Sequence, residues 1–358
     1  MGADPSNIRI GLLRLTDAAP VILAQALGLF AAEGLEVELQ VEPSWANLAD
    51  KIAYGFLDAA VLLPPLALAM SMGLRSPGAE LIVPMGLSLN GNSVTLAPEL
   101  AAPLIEGGRP NALTAGHRLR LALNARPKPV LAVVHAFSTH DLLLRYWLAA
   151  AGIDPVQAVE WVIVPPADMV AALAAGRIDG FCAGAPWGWV AAEAGAGRTV
   201  AVSSGIWQHH PEKCLAVRRP WAEAHPDKLQ AVLRALLQAA NRCDDPAETP
   251  ALARLLAEPG YIGVPAVAIA ASLAGGAGGE VDCSQFAAHA ATYPARAHAL
   301  WFLGQMARWR ELPAGLDGSA LVDRVYRPDQ HAQALLSLGL TPPAGPDSGP
   351  FCDQAATD

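Results

Sequence analysis

Two short segments of the sequence carry residue types that could bind a small anion. Ser138-Thr139-His140-Asp141 stands directly before an apolar run, which predicts a helix start with hydroxyl caps and free backbone N–H groups. Gly184-Ala185-Pro186 predicts a second helix start, because proline suits the first helical turn and Gly184 lets a ligand approach the backbone. Each pattern alone is also typical of an ordinary capped helix. The chemistry that both would support is the binding of a negative group by N–H donors and by the imidazole of His140.

Motifs of several enzyme classes are absent from the sequence. It contains no Gly-x-Ser-x-Gly nucleophile turn, no Walker loop and no His-Glu-x-x-His zinc motif. The glycines at 275–279 do not fit the dinucleotide fingerprint and predict a loop. His209-His210 could bind a metal, although such a pair is more typical of solvated or capping side chains. We therefore predict a binding protein, with no catalytic residues, no metal and no cofactor.

The composition limits the partners of the protein. A chain of 358 residues that is 53% hydrophobic and 16% charged is globular and long enough for two domains. Its 33 acidic and 24 basic residues give a net charge of −9, so we expect no direct binding to nucleic acid. An acidic surface could still contact a basic protein partner. The five scattered cysteines contain no Cys-x-x-Cys and predict neither a disulfide framework nor a zinc site.

Strand-like and helix-like stretches alternate along the chain and position the two segments. The first series predicts strands at 8–15, 37–41, 59–63 and 81–85, and a helix at 20–34. The second series predicts strands at 119–124, 130–134, 159–164 and 180–183, and helices at 138–152, 167–176 and 187–195. The chain is strongly helical after Lys213 and again from Pro294 to Trp309. This is an α/β pattern with mostly parallel sheets, and two such series predict two lobes. Both anion-binding segments follow predicted strands, at the carboxyl ends where α/β sheets bind ligands.

The two ends of the chain carry further expectations. Arg9 and Arg14 interrupt the apolar stretch at 8–15, so we expect a first strand and no export signal, and hence a cytoplasmic protein. The most apolar run, 59–74, contains Pro64-Pro65 and is shorter than the roughly 20 residues of a membrane span, so we expect no membrane association. The polar, proline-rich stretch at 341–358 predicts a disordered tail.

Several segments in the same order resemble the nitrate-binding members of the ABC-transporter substrate-binding proteins. They are Leu15-Thr16-Asp17-Ala18-Ala19-Pro20; Ser138-Thr139-His140-Asp141 leading to Arg145-Tyr146-Trp147-Leu148 and Gly152-Ile153-Asp154-Pro155; Val164-Pro165-Pro166-Ala167-Asp168-Met169-Val170; Phe181-Cys182-Ala183-Gly184-Ala185-Pro186-Trp187; His210-Pro211-Glu212-Lys213; and Tyr326-Arg327-Pro328-Asp329. The resemblance extends from about residue 8 to residue 340, nearly the whole chain.

The resemblance implies a two-lobed, periplasmic-binding-protein-like fold of type II with the ligand cleft between its lobes. We expect one lobe at 1–92 and 214–340 and the other at 93–213. Family members hold nitrate with a tryptophan, an amide, a histidine, a glycine and a lysine, which fall here on Trp45, Asn92, His140, Gly184 and Lys213. Asn92 stands where glutamine, one methylene longer, is expected. Related bicarbonate binders are expected to replace the lysine with an acid and to recruit calcium, so Lys213 favours nitrate or nitrite without a metal.

Three roles are compatible with this resemblance. Exported relatives begin with a signal and carry glutamate where this chain has Ala185. The chain is therefore similar to the NasS-type nitrate/nitrite sensors, cytosolic proteins that clamp the anion and release an RNA-binding antiterminator of the NasT type. The alternative is a periplasmic nitrate-binding component of an ABC transporter. An enzyme on the same fold, such as a pyrimidine synthase of thiamine biosynthesis, would need a cofactor pocket and reactive His or Cys residues, which the sequence does not indicate.

Overall fold

Two five-stranded sheets form the frame of the protein, seen in a computed structural model that describes residues 7–75, 78–124, 126–273 and 282–354. The first sheet has the order β2-β1-β3-β10-β4, with β1 (Asn7–Leu12), β2 (Glu36–Val41), β3 (Ala59–Leu62), β4 (Leu81–Leu89) and β10 (Pro211–Arg218). The second has the order β7-β6-β8-β5-β9, with β5 (Asn92–Leu96), β6 (Val130–Val133), β7 (Glu160–Ile163), β8 (Gly180–Gly184) and β9 (Arg198–Val202). The glycines at 275–279 lie outside the described residues.

Sixteen α-helices of the described residues connect and cover these strands. They are α1 (Ala19–Ala26), α2 (Leu29–Ala32), α3 (Trp45–Ala53), α4 (Pro64–Ser71), α5 (Pro98–Ala101), α6 (Ala112–Leu123), α7 (Thr139–Ala150), α8 (Met169–Ala174), α9 (Trp187–Glu193), α10 (Arg219–Ala224), α11 (Pro226–Cys243), α12 (Thr249–Leu256), α13 (Ala266–Leu273), α14 (Arg296–Trp309), α15 (Gly318–Val325) and α16 (Pro328–Ser337). None of the helices in the described ranges is long and apolar enough to cross a bilayer.

Both sheets are mixed, which corrects the expectation of mostly parallel sheets. Strand β10 runs antiparallel to β3 and β4, and β5 runs antiparallel to β8 and β9. The sequence analysis did not predict β5, β9 or β10. The 214–218 part of β10 was expected to be helical, but the following helix begins only at Arg219, with Pro220 in its first turn. The parallel pairs β1–β2, β1–β3, β6–β7 and β6–β8 agree with the predicted β/α alternation.

The strand predicted at 119–124 is wrong, because these residues form the end of α6. Leu119, Leu121 and Leu123 alternate with more polar residues, which is the period of a strand. The buried residues of α6 as a whole are Ala112, Ala115, Gly116 and Leu119, which is helical spacing. Leu121 is 65% exposed, so the alternation of apolar residues at 119–123 does not correspond to a buried face.

The chain passes between the sheets twice, at residues 90–91 and 203–210. Asn90 and Gly91 both have positive φ, and a Cβ at residue 91 would lie 2.4 Å from the Ser284 hydroxyl, so glycine is required there. The carboxylate of Asp282 joins the two crossings. It accepts hydrogen bonds from the Gly91 N–H (3.2 Å), the Ser203 hydroxyl (2.6 Å) and the Ser204 N–H (2.8 Å). The predicted lobe boundaries at 92/93 and 213/214 fall inside β5 and β10, and these boundaries stay a prediction.

The tail differs from the disorder that the sequence predicts. Phe351 stacks on Trp207 with ring centroids 4.7 Å apart. The Gly349 N–H donates to the Gln208 carbonyl (3.0 Å), and the Cys352 N–H donates to the Ile206 carbonyl (2.8 Å). One aromatic contact and two backbone hydrogen bonds join residues 349–352 to the second crossing, and average composition does not indicate such contacts.

Candidate functional site

Lys213 lies on β10 with only 1% of its surface exposed. Its Nζ atom is 2.8 Å from Asp17 Oδ2 and 2.5 Å from Glu212 Oε1. Burial alone would lower the pKa of Lys213, but the two carboxylates outweigh burial and raise the pKa above its usual value. A buried ammonium is stable only with such partners, so Lys213 places a fixed positive charge inside the protein.

The carboxylate of Glu212 is the centre of this cluster. Its Oε2 atom accepts a hydrogen bond from Asn92 Nδ2 (2.6 Å), and its Oε1 atom lies 3.4 Å from His140 Nε2 without hydrogen-bond alignment. Burial would raise the pKa of Glu212, but Lys213 together with the neighbouring His140 and His210 outweighs burial and the pKa falls to about 2. Glu212 is therefore an ionised carboxylate that uses donors from both sheets.

Asp17 is the second carboxylate and belongs to the 3₁₀ turn Thr16–Ala18 that follows β1. Burial raises the pKa of Asp17, and the nearby charge of Lys213 opposes that rise only in part. The backbone of the same turn contacts the second sheet, because the Thr16 N–H donates to the Ala185 carbonyl at 3.0 Å. Asp17 is thus the carboxylate of the pair that takes up a proton more readily.

His140 is the second residue of α7, which begins where the sequence predicts. The Ser138 hydroxyl caps this helix by accepting a hydrogen bond from the Asp141 N–H (3.0 Å). Burial lowers the pKa of His140 to about 3, so the imidazole is neutral at physiological pH. Neither ring nitrogen of His140 has a hydrogen-bond partner among the described residues. A neutral imidazole with a free N–H is a suitable donor to an anion.

Asn92 and Gly184 lie opposite each other at the ends of two neighbouring strands. Asn92 begins β5, Gly184 ends β8, and the two residues are partners in the antiparallel register. A Cβ at residue 184 would lie 3.3 Å from Asp17 Oδ2 and 3.4 Å from Asn92 Oδ1. The glycine therefore keeps space open at the centre of the cluster, where any larger residue would press on both side chains.

Trp45 begins α3, which the Ser44 hydroxyl caps by accepting from the Asn47 N–H (3.2 Å). The Nζ atom of Lys213 lies 5.4 Å from the centroid of the Trp45 ring, within the range of a cation–π contact. The indole is buried, and its N–H has no hydrogen-bond partner in the described part of the chain. Trp45 therefore closes one side of the cluster with an aromatic wall and one unused donor.

Several unused polar atoms lie in this cluster. Buried atoms without a hydrogen-bond partner, among the described residues, include Trp45 Nε1, Asn92 Oδ1, Thr139 Oγ1 and both nitrogens of His140. Buried polar groups normally find partners, and such orphans indicate a group that the protein alone does not supply. The site joins one positive charge to several unused hydrogen-bonding groups and is suited to a small planar anion.

All five residues that the resemblance implies lie in this one cluster, although their role as anion ligands stays a prediction. The sequence analysis missed Asp17 and Glu212. Both stand inside the quoted segments, but acidic residues were not expected beside an anion. His210 was also missed as a member of the site. It is buried, its Nε2 atom is 2.7 Å from the Ser203 hydroxyl, and burial lowers its pKa. His209 and His210 therefore do not act as a pair.

Comparison with known proteins identifies relatives along nearly the whole chain. Residues 1–257 match the model of the NMT1-like family. The chain is 37% identical over 351 residues to the nitrate import ATP-binding protein NrtC of Synechocystis, and 36% identical over 342 residues to the bicarbonate transport ATP-binding protein CmpC of Synechococcus elongatus. These alignments cover 94% and 95% of this chain, but it spans only 51% of the length of each relative.

Two NrtA proteins match this chain over most of their length. The nitrate/nitrite binding protein NrtA of Synechococcus elongatus is 34% identical over 349 residues, which cover 93% of this chain and 78% of that protein. The crystal structure of the periplasmic nitrate-binding protein NrtA from Synechocystis superposes with a TM-score of 0.89 at 28% identity, over 98% of this chain and 94% of that one. The match confirms the predicted two-lobed, periplasmic-binding-protein-like fold. The chain therefore belongs to the NMT1-like family and is a homologue of the NrtA substrate-binding proteins.

Proposed function

We propose that this protein binds nitrate or nitrite between its two sheets. The observation that carries the proposal is the buried ammonium of Lys213 beside the unused donors of His140 and Trp45. Homologues named for nitrate and nitrite support this choice among small anions. The buried ammonium of Lys213 supplies the positive charge that an anion requires, although it is already paired with Asp17 and Glu212.

The chemistry of the ligand suits these groups. Nitrate is planar, carries one charge over three oxygens and needs only a few donors. Lys213 supplies the charge, and His140, Asn92 and the indole N–H of Trp45 supply donors in the plane or at its edge. Gly184 supplies the space, since a methyl group there would contact Asp17 and Asn92. No metal takes part in this arrangement.

An anion that enters this site competes with Glu212. The carboxylate of Glu212 is itself a planar two-oxygen anion, bonded to Lys213 and Asn92. Nitrate binding therefore requires Glu212 to move away from at least one of these donors. A further negative charge beside Asp17 favours proton uptake by that carboxylate, because its pKa is already raised by burial. We expect nitrate binding to be coupled to uptake of a proton and to strengthen as the pH falls within the range where the fold is stable.

Calorimetric titration with nitrate, nitrite, bicarbonate and chloride tests the ligand. The proposal predicts one-to-one binding of nitrate or nitrite, with bicarbonate and chloride at least about tenfold weaker, a difference of about 1.4 kcal/mol. Bicarbonate is the second candidate because CmpC is a relative of similar identity. Bicarbonate binding tighter than that of nitrate, or no binding of any of the four anions, would overturn the proposal.

We propose further that anion binding serves a sensor in the cytoplasm. Closure of the lobes on nitrate or nitrite would release an RNA-binding antiterminator of the NasT type, with no direct contact between this protein and nucleic acid. The net charge of −9 supports a protein partner of basic character. The transport component of an ABC importer is the alternative, and the import proteins among the relatives fit it equally well.

Binding to a purified NasT-type protein, with and without nitrate, separates the two roles. In a sensor, nitrate weakens partner binding, and the partner weakens nitrate binding by the same factor. Equal partner affinity in the two conditions would exclude release by the anion. Absence of partner binding, together with export of the protein from the cytoplasm of its own cell, would establish the transport role instead.

A further inference from the structure

Three side chains from distant parts of the sequence meet beside the second crossing between the sheets. His209 precedes β10, His289 belongs to the 3₁₀ turn Ala288–Ala290, and Asp347 lies in the tail. The Nδ1 atom of His289 is 2.7 Å from Asp347 Oδ2, and the Nδ1 atom of His209 is 3.0 Å from the Asp347 carbonyl oxygen. The two imidazole rings are stacked with centroids 3.6 Å apart. One potential ligand atom of each residue lies within 4.8 Å of the other two.

The backbone holds both histidines in an uncommon conformation. His209 and His289 each have φ of +54°, in the left-handed region that residues other than glycine rarely adopt. Ala290, directly after His289, also has a positive φ of +55°. Such outliers persist where the surroundings fix them, and they are concentrated at functional sites. Here the two unusual positions bring both imidazoles to Asp347, His289 to its carboxylate and His209 to its backbone carbonyl.

The set of donors and their exposure suit a divalent transition metal. Two imidazoles and one carboxylate are ligands that Zn²⁺ binds at about 2.0–2.2 Å. The three side chains are half-buried or exposed, so an ion reaches them directly from solvent. The cluster adjoins a cavity of 570 Å³, which His209 lines together with Asn90 and Asp282. This cavity leaves room for water as a fourth ligand.

We propose that His209, His289 and Asp347 bind a divalent transition cation of the Zn²⁺ class, and that the ion fastens the tail to the second crossing. The tail already contacts this region through Ser348, whose hydroxyl is 2.6 Å from His298 Nε2, and through Phe351 on Trp207. A metal that joins residues 209, 289 and 347 adds a link at the exposed beginning of this contact. The site is separate from the anion cluster, and the proposal does not depend on nitrate binding.

Titration of the full chain with Zn²⁺ alone tests the site. We expect one-to-one binding that weakens by at least about tenfold in His209→Ala and in His289→Ala. Removal of a group that only supports a metal ligand already weakens metal binding by about tenfold, so removal of a ligand should weaken it at least as much. His117→Ala is the matched control, because His117 is exposed on α6 and distant in sequence from all three ligands. Its Zn²⁺ affinity should equal that of the parent. No binding to the parent, or equal affinity in all four proteins, would overturn the proposal.

Two further readouts separate a built site from surface adsorption. Co²⁺ bound by the parent should give the visible absorption of a four- or five-coordinate complex, and this absorption should be lost in Asp347→Ala. Zn²⁺ should also slow chymotrypsin cleavage after Phe351 in the parent but not in His289→Ala, because the ion stabilises only the docked tail. Zn²⁺ protection that persists in His289→Ala, or no protection in the parent, would contradict the role of the ion in fastening the tail.

Discussion

The two sheets contribute different chemistry to the central cluster. The first sheet and its connections supply the charged groups Asp17, Glu212 and Lys213. The second sheet and its helices supply Asn92, His140 and Gly184, which are neutral. Each half alone is an incomplete anion site, because one half has a charge already paired with carboxylates and the other has donors without a charge. This difference predicts that anion affinity depends on the position of the two sheets relative to each other.

Removal of Lys213 should have the largest effect, because it removes the only positive charge of the cluster. Lys213→Ala leaves Glu212 buried without its ionic partner, and breaking a buried pair in this way costs about 3–5 kcal/mol of stability. We expect nitrate binding to be lost in calorimetry and unfolding in urea to occur at a lower concentration. Lys128→Ala, which removes an exposed lysine, is the control and should change neither quantity.

A double variant distinguishes loss of charge from loss of fold. Lys213→Ala with Glu212→Gln removes the lysine and one of its two carboxylate partners, so it should recover part of the stability that Lys213→Ala loses. Nitrate binding should not return. Recovery of nitrate binding in the double variant would show that the positive charge is not required, and the contrast between the two sheets would be wrong.

The neutral half of the site predicts a pH dependence of stability. The pKa of His140 falls from 6.5 to about 3 on burial, so the unfolded chain binds a proton at this position more readily than the folded protein does. His140 therefore costs no stability above pH 6.5, and the fold loses stability as the pH falls from 6.5 toward 3. The contribution of one such group is about 1.4 kcal/mol per pH unit inside this window.

Comparison of the parent with His140→Gln isolates this contribution. Urea unfolding between pH 7 and pH 4.5 should show a slope that is smaller in the variant by about 1 kcal/mol per pH unit. The other buried histidines, His135, His210, His298 and His331, are present in both proteins, so their contributions largely cancel in the difference. Equal slopes would mean that His140 takes up a proton in the folded protein as readily as in the unfolded chain, and the second sheet would then become charged as well.

Among the substitutions of Lys213, His140 and Asn92, that of Asn92 should have the smallest effect, because its side chain supplies one neutral hydrogen bond. Asn92→Ala removes the donor that Glu212 Oε2 uses, which costs about 1–3 kcal/mol where a buried acceptor is left unpaired. We expect nitrate affinity to fall by about tenfold, in contrast to the complete loss in Lys213→Ala. Calorimetry of both variants measures the difference. Equal losses of nitrate affinity in the two variants would show that the charge of Lys213 contributes no more to binding than the donor of Asn92.

Much of the fold was predictable from the sequence because β/α alternation is a local pattern. Strands β1, β2, β3, β6, β7 and β8 lie within two or three residues of the predicted ranges. The antiparallel strands β5, β9 and β10 were not predictable, since their pairing joins residues far apart in the chain. The strand prediction at 119–124 was wrong because the apolar residues there alternate with the period of a strand, although the segment belongs to a helix.

The candidate site was predictable only in part. The position of His140 follows from a capped helix start, and that of Gly184 from a strand end before proline, and both patterns are local. The grouping of Trp45, Asn92 and Lys213 with them came from family resemblance. Asp17 and Glu212 were missed because their significance depends on burial next to Lys213. The cluster of His209, His289 and Asp347 joins three segments that no sequence pattern connects.

A crystal structure of the protein grown with nitrate tests the central claim most directly. The account predicts nitrate with one oxygen at about 3 Å from Lys213 Nζ and another at hydrogen-bond distance from His140 or Asn92, so that both sheets contact one ion. It also predicts that the carboxylate of Glu212 has left Asn92 Nδ2 or Lys213 Nζ. Nitrate bound elsewhere, or a cluster in which Glu212 keeps both bonds at saturating nitrate, would contradict the account.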